Sequence, residues 1–298
     1  MNNPKLEANT FLKEADIAMY EAKSKGRDGI IIFNDELSQK VESKLEIERL
    51  LHFALEKNEI YLMYQPQLNA NKEIAGCEVL VRWNNDKLGE IGPDDFIPIS
   101  EQTGFIIELG HFIIEESFKT LRDWDKKGLD VKQMSINISM RQLFHSSFIH
   151  DVEKLCSKYL NKELSSKIVF EMTETSVAED LDKLISSMNI IKGLGIRFSM
   201  DDFGTGYSSL SYLRQLPINE LKIDKSFIME LDKTDDGRTM VKTILNIAKN
   251  LNLTIVAEGI EEVSQRDFLI KEECDILQGY YFSRPINKDT FEKYIEQL

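Results

Sequence analysis

Six short apolar runs in this chain each end on, or next to, a residue that can hold a metal or a phosphate. They are GCEVLVRW with Glu78, MSINIS with Asn137, KIVFEMTET with Glu171 and Glu174, RFSMDDFG with Asp201 and Asp202, NELKID with Lys222 and Asp224, and TIVAEG with Glu258. A seventh run, CDILQGYYF, adds Gln278. Polar groups at the ends of successive buried strands are how a parallel β/α barrel builds an active site. A ring this rich in carboxylates points to divalent cations rather than to a simple acid–base pair.

Taken singly, several of these residues have ordinary readings. Glu78 could face solvent on an edge strand, Asn137 could cap a following helix, and Lys222 could be a surface lysine on a short strand. Glu171 is different, because it lies among Ile, Val, Phe and Met, where an unpaired carboxylate is costly to bury. The adjacent pair Asp201 and Asp202 is the strongest local signal. Neighbours on a strand point to opposite faces, so both can reach one site only where the strand ends and bends. That geometry suits two metals sharing ligands from one turn. A lysine inside a barrel needs a negative partner, which such a ring supplies.

The elements that must position these residues alternate. From Ile60 onward, strands are predicted at 60–68, 75–83, 133–139, 167–172, 196–201, 219–224, 253–257 and 275–278, with helical patterns at 105–127, 180–193, 238–251 and 261–271. The fold class is α/β, a modified (β/α)8 TIM-like barrel. Its first strand should be antiparallel, because NANKEI between the first two strands is too short for a helical crossover. The GxGxxG fingerprint of a dinucleotide-binding fold follows none of the strands. Ahead of the barrel, an amphipathic helix is expected over 38–57, with Val41, Leu45, Ile47, Leu51 and Leu55 on its apolar rows. Residues 1–37 hold a helical stretch, FLKEADIAMYEAKSKG, and a predicted strand, GIIIF at 29–33. One helix and one strand cannot close a core, so this segment is expected to be the end of another domain.

The 298 residues carry 37 basic and 51 acidic side chains, a formal charge of −14. That balance argues against a diffuse basic surface for duplex nucleic acid, although bound metal ions could still reverse the local field for an anionic ligand. Cys77, Cys156 and Cys274 form no CxxC, which argues against a zinc ribbon or a disulfide framework and for a reducing compartment. Cys77 and Cys274 are expected to be core thiols. No apolar stretch approaches the roughly 20 residues of a membrane span, so no membrane contact is expected of this piece and a cytoplasmic location fits, even if a longer parent is anchored.

The motifs, in order, resemble those of the EAL domain, the cyclic di-GMP phosphodiesterases. They are Glu78-Val79-Leu80 with Val81-Arg82-Trp83, Asn137, Glu171-Met172-Thr173-Glu174, Asp201 to Ser209, Leu221-Lys222-Ile223-Asp224, Ala257-Glu258-Gly259 and Gln278-Gly279-Tyr280. Tyr64-Gln65-Pro66 and Phe96-Ile97-Pro98 are similar to segments lining the nucleotide site. Val79 stands where the name-giving motif has Ala, a change expected to adjust packing only. The resemblance covers about residues 40–298 and sets the EAL domain at 38–298.

It implies hydrolysis of cyclic di-GMP to linear pGpG with two Mg2+ or Mn2+ ions. Glu78, Asn137, Glu171, Asp201, Asp202 and Glu258 would be the metal ligands. Lys222 would orient the attacking water, alongside Glu258 and Glu78 in the catalytic set. Glu174 would steady the loop after Asp202. Gln65, Arg82, Pro98, Asp224 and Gln278 would meet the substrate or close the site. A homodimer is implied as well. Two rival readings remain, an inactive EAL domain that senses cyclic di-GMP, and an enolase-type barrel enzyme. The segment Ala15 to Lys23, with Gly26-Arg27-Asp28 and Ile32-Phe33, resembles the last helix and strand of a GGDEF domain, so 1–37 would be the C-terminal remnant of one.

Overall fold

The computed structural model describes residues 8–24, 29–173, 180–204 and 213–297. Two compact units emerge, one formed by residues 1–60 and 83–105 and the other by 61–82 and 106–298.

In the first unit, α1 (Ala8–Ser24) and α2 (Asp35–Leu51) are followed by β3 (Gly89–Ile91) and α3 (Pro93–Thr103). Helix α2 begins at Asn34, whose side chain accepts from Leu37 N at 2.6 Å, and carries Asp35 and Glu36 in its first turn. Both features offset the unpaired N–H groups and positive dipole end of a helix start. The helix stops at Leu51, short of the predicted end at 57, and buries Val41, Ile47 and Leu51 but leaves Leu45 exposed. Residues 29–33 are not a strand: Ile30 is 92% and Ile32 81% exposed, and no described neighbour offers them a ladder. A strand without a partner leaves its backbone groups to water, so apolar β-branched content alone does not make one.

The core of this unit gathers on Glu59. Its Oε2 accepts from the indole of Trp83 at 3.0 Å and from Asn85 Nδ2 at 2.9 Å, and Trp83 meets Phe96 edge-on at 5.6 Å. Trp83 and Asn85 are both buried. Removing the acceptor strands two donors away from water. Glu59→Ala is therefore expected to cost about 2 kcal/mol in a urea-denaturation series.

The second unit is the barrel. Its strands are β1 (Ile60–Leu68), β2 (Ile74–Asn85), β4 (Met134–Asn137), β5 (Ile168–Thr173), β6 (Arg197–Phe203), β7 (Glu220–Ile223), β8 (Thr254–Ala257) and β9 (Ile276–Gln278). The order β1-β9-β8-β7-β6-β5-β4-β2 closes through a β1–β2 pairing, giving eight strands around the ring. Strands β2 and β4 to β9 are parallel, while β1 runs antiparallel to β9 and hence against all the rest. The predicted inverted first strand is present. Residues 83–85 at the far end of β2 belong to the first unit, where they pair antiparallel with the short β3, which had no sequence prediction.

Helices cover the barrel by the usual stripe of positions three and four apart. Helix α4 (Ile106–Lys126) buries Leu109, Ile113, Phe118, Leu121 and Trp124. Trp124 stacks on Phe291 of the last helix, Lys288–Glu296, at 4.9 Å, and its indole N–H reaches Glu292 Oε1 at 3.0 Å. All three cysteines are free and buried, and burial raises each thiol's pKa. No helix among the described residues is long and apolar enough to cross a membrane.

Candidate metal-dependent active site

Parallel register brings the polar strand ends to one mouth. Asn137 pairs across from Glu171 and Thr173 across from Asp201, while Glu258 follows β8 and Gln278 closes β9. The centre is Lys222, wholly buried on β7. Its Nζ stands 2.6 Å from Glu171 Oε2, 3.2 Å from Asp201 Oδ2, 2.6 Å from Glu258 Oε1 and 3.7 Å from Glu78 Oε1. The contacts to Glu171 and Asp201 are hydrogen bonds. Glu258 lies close but out of hydrogen-bonding alignment, so that contact is ionic.

The remaining partners hold the ring in shape. Glu78 Oε1 accepts from Asn137 Nδ2 at 2.8 Å, and Glu78 Oε2 accepts from Gln278 Nε2 at 2.6 Å. Gln278 also donates to Gln65 Oε1 at 3.2 Å, and Gln65 in turn donates to the Ser283 carbonyl. Val79, the departure from the family motif, is buried beside Glu78 and leaves these bonds in place.

Strand β6 bends where two adjacent carboxylates require it. Its register shifts between Met200 and Phe203, and Asp202 takes φ +55°, which side-chain-bearing residues seldom adopt. Asp202 N donates back to Asp201 Oδ1 at 2.8 Å. Asp201 thus faces Lys222 while half-buried Asp202 turns away from the strand's regular alternation.

Charge is out of balance here. Four carboxylates surround one ammonium, with Asp202 alongside. Burial pushes Glu171 well above the usual carboxylate range against the pull of Lys222, and raises Glu258 likewise. Asp202 is pushed up to about 6, by burial first and then by Asp201 and Asp224. Burial alone would lower the pKa of Lys222, but the surrounding carboxylates override it and hold the group well above its ordinary value.

The sign of the resulting pH dependence follows. Groups with raised folded-state pKa hold more protons folded than unfolded, so stability falls as pH rises through that interval. For Asp202 the interval runs from its ordinary value of 3.8 to about 6, and for Glu258, raised chiefly by burial, from 4.5 to about 8, which spans pH 5.5 to 8. In EDTA the melting temperature is expected to be lower at pH 8 than at pH 5.5, and Mg2+ or Mn2+ should remove that difference. Equal melting points in EDTA would contradict the charge imbalance.

Hard oxygen donors in excess of positive charge suit Mg2+ or Mn2+. Among the described residues no three His, Cys, Asp or Glu side chains stand as a finished metal cage, since the ammonium gathers the oxygens instead. One observation still marks a place for a cation: Glu171 Oε1 is buried with no hydrogen-bond partner. The donor set therefore fits divalent ions.

The family model for the EAL domain matches residues 48–285. This chain belongs to the EAL domain family. Among curated relatives of this EAL chain, the bifunctional diguanylate cyclase/cyclic di-GMP phosphodiesterase MucR of Pseudomonas aeruginosa is 36% identical over 273 residues, 91% of this chain and 40% of its own length. The cyclic di-GMP phosphodiesterase PdeR of Escherichia coli is 33% identical over 291 residues, 98% of this chain and 44% of its own. The chain thus spans less than half the length of either relative. The solved structure of the PaMucR phosphodiesterase in complex with c-di-GMP matches with a TM-score of 0.79 at 35% identity, over 83% of this chain and 99% of that one.

Within the EAL domain, Glu78, Asn137, Glu171, Asp201, Lys222, Glu258 and Gln278 come together at one mouth of the barrel. Gln65 joins them through Gln278. Arg82 is half-buried, with one N–H on the Val81 carbonyl at 2.8 Å. Asp224 caps α9 (Lys225–Glu230), accepting from Ser226 N at 3.0 Å. Pro98 lies inside α3 of the first unit. Glu174 and the loop at 205–212 fall outside the described residues. Sequence reasoning missed Gln67, Gln133, Arg197 and Glu220, all inside or at the lower end of the barrel. The signal was the strand period: Ser135, Ser199 and Glu220 each precede a site residue by two positions, and Gln67 follows Gln65 likewise.

Proposed function

We propose that this EAL domain hydrolyses cyclic di-GMP to linear pGpG with two divalent ions, Mg2+ or Mn2+, so lowering the level of a bacterial second messenger. The observation that carries this reading is the convergence of Glu78, Glu171, Asp201 and Glu258 on the buried ammonium of Lys222. The names of MucR and PdeR give the chemistry of relatives, and the domain match makes the same chemistry the natural expectation here.

Glu78, Asn137, Glu171, Asp201, Asp202 and Glu258 would hold the ions. When bound, the ions supply acidification of a water and neutralisation of phosphate charge. Lys222 keeps its proton among four carboxylates, so its part is to donate a hydrogen bond that positions the water or meets charge growing on phosphate oxygens. A planar guanidinium suits a phosphate oxygen, and Arg82 is assigned that contact. Gln65, Pro98 and Asp224 are assigned to the nucleotide, Gln278 to the closure of the site around Glu78, and Glu174 to the loop after Asp202. Residues 1–37 are read as the C-terminal end of a GGDEF domain, the location as cytoplasmic, and the functional form as a homodimer.

The test is incubation of the chain with cyclic di-GMP in Mn2+, in Mg2+ and in EDTA, followed by chromatography. Linear pGpG should form with either metal and not in EDTA. Intact substrate under all three conditions, with binding still measurable, would replace the hydrolase by a cyclic di-GMP sensor.

A further inference from the structure

Below the carboxylate ring the barrel interior carries a second polar system, and its hydrogen bonds run one way. Arg197 Nη2 donates to Gln133 Oε1 at 3.3 Å. Gln133 Nε2 donates to Gln67 Oε1 and to Glu220 Oε2, both at 3.1 Å. Gln67 Nε2 donates to Gln278 Oε1 at 2.8 Å, and Gln278 Nε2 to Glu78 Oε2 at 2.6 Å. The three glutamines and Glu220 are buried, Gln67 completely, so water is no substitute partner.

Each link fixes the next. The two ends of a glutamine amide have nearly the same shape, and their partners decide which way it faces. The Arg197 end of this chain cannot be inverted, because a guanidinium only donates. Arg197 therefore takes the carbonyl of Gln133 and Glu220 takes its NH2. Gln67 must then turn its carbonyl to Gln133 and its NH2 to Gln278, which leaves the NH2 of Gln278 aimed at Glu78.

The backbone supports the same arrangement. Gln67 and Gln278 are register partners across β1 and β9. Cys77 N holds the Gln133 carbonyl at 3.1 Å, and a Cβ on Gly76 would meet Gln133 Cγ at 2.4 Å. Gly76 is the residue that leaves room for Gln133. Arg197 and Gln133 also line a cavity of about 640 Å³ at the end of the barrel opposite the carboxylate ring.

We propose that Gln67 and Gln133 are positioning residues of the site, transmitting the orientation set by Arg197 and Glu220 through Gln278 to the Glu78 carboxylate. The inference rests on the reading of Glu78 as a metal ligand, and its test does not require hydrolysis. Partners behind a metal ligand typically change metal affinity or activity 10- to 100-fold when removed.

The decisive comparison is Gln67→Glu with Gln67→Met, read by calorimetric titration of Mn2+ without substrate and by kcat and KM. Glutamate keeps the shape of glutamine but has no NH2 for Gln278, so the Gln278 amide turns its carbonyl toward Glu78. The expected result is about tenfold weaker Mn2+ binding for Gln67→Met and a larger loss for Gln67→Glu, with kcat falling in step and KM within twofold of wild type. A packing role predicts the opposite order, and that order, equal losses, or no loss would overturn the proposal. Should Gln67→Glu fail to fold, Gln133→Met is read by the side-chain amide NMR signals of Gln278, which need neither metal nor substrate. A shift supports the chain, and unchanged signals overturn it. Wild type that leaves cyclic di-GMP intact, with these Gln278 signals still responding, would sink the proposed function alone. Active wild type with indifferent variants would sink this inference alone.

Discussion

Glu171→Gln is expected to slow hydrolysis severely and at the same time to stabilise the metal-free protein. The two effects have one origin. Glu171 is fully buried, one of its oxygens is hydrogen-bonded to Lys222 and the other has no partner. Burial raises its pKa well above the ordinary range, which means that the folded protein favours the neutral group. Glutamine imitates that neutral form, can still accept from Lys222, and removes one negative charge from the ring. In EDTA at pH 8 the variant should be more stable than wild type, read as a higher melting temperature. It should also lack the charge that a divalent ion requires, and kcat should fall by about 10³-fold. A variant that is both less stable and active would contradict the assignment. Such opposition of stability and activity is what a site assembled against its own electrostatics should show.

Lys222→Met should lower both. Lys222 supplies the ammonium at the centre of the ring, and removing one partner of a buried charged set costs about 3–5 kcal/mol. The loss should grow as pH rises, because the abandoned carboxylates bind protons more readily folded than unfolded. Divalent ions should recover more stability in this variant than in wild type, since they replace the missing charge. Turnover should not return with it, and kcat should remain about 10²- to 10³-fold down. Thermal melts with and without Mn2+, beside initial rates, separate these contributions. If Mn2+ restored full turnover, Lys222 would be a structural counter-ion only.

The site could be read in the sequence because its chemistry sits at strand ends. Apolar runs ending on Glu78, Asn137, Glu171, Asp201, Lys222 and Glu258 carry both the strand and its polar group in one short window, and the short link NANKEI at 69–74 implied the inverted first strand. What was not legible depends on partners distant in sequence. Gln67, Gln133 and Arg197 look like ordinary polar positions until the barrel closes and brings residues up to 211 apart into hydrogen-bond contact. Helix α3 was missed because Pro98 lies inside it and Pro93 at its start, where only the second placement is a helix signal. The stretch at 29–33 failed for the converse reason. Its composition favours a strand, but a strand exists only with a neighbour, and composition cannot supply one.

The proposed function requires the carboxylate ring to turn cyclic di-GMP over rather than merely hold it. The most direct measurement is chromatography of cyclic di-GMP after incubation with Mn2+ and either wild type or Glu78→Ala, with binding of the dinucleotide measured in parallel. Wild type should yield pGpG, and Glu78→Ala should leave the substrate intact. Intact substrate with wild type, or equal turnover by both proteins, would contradict that function.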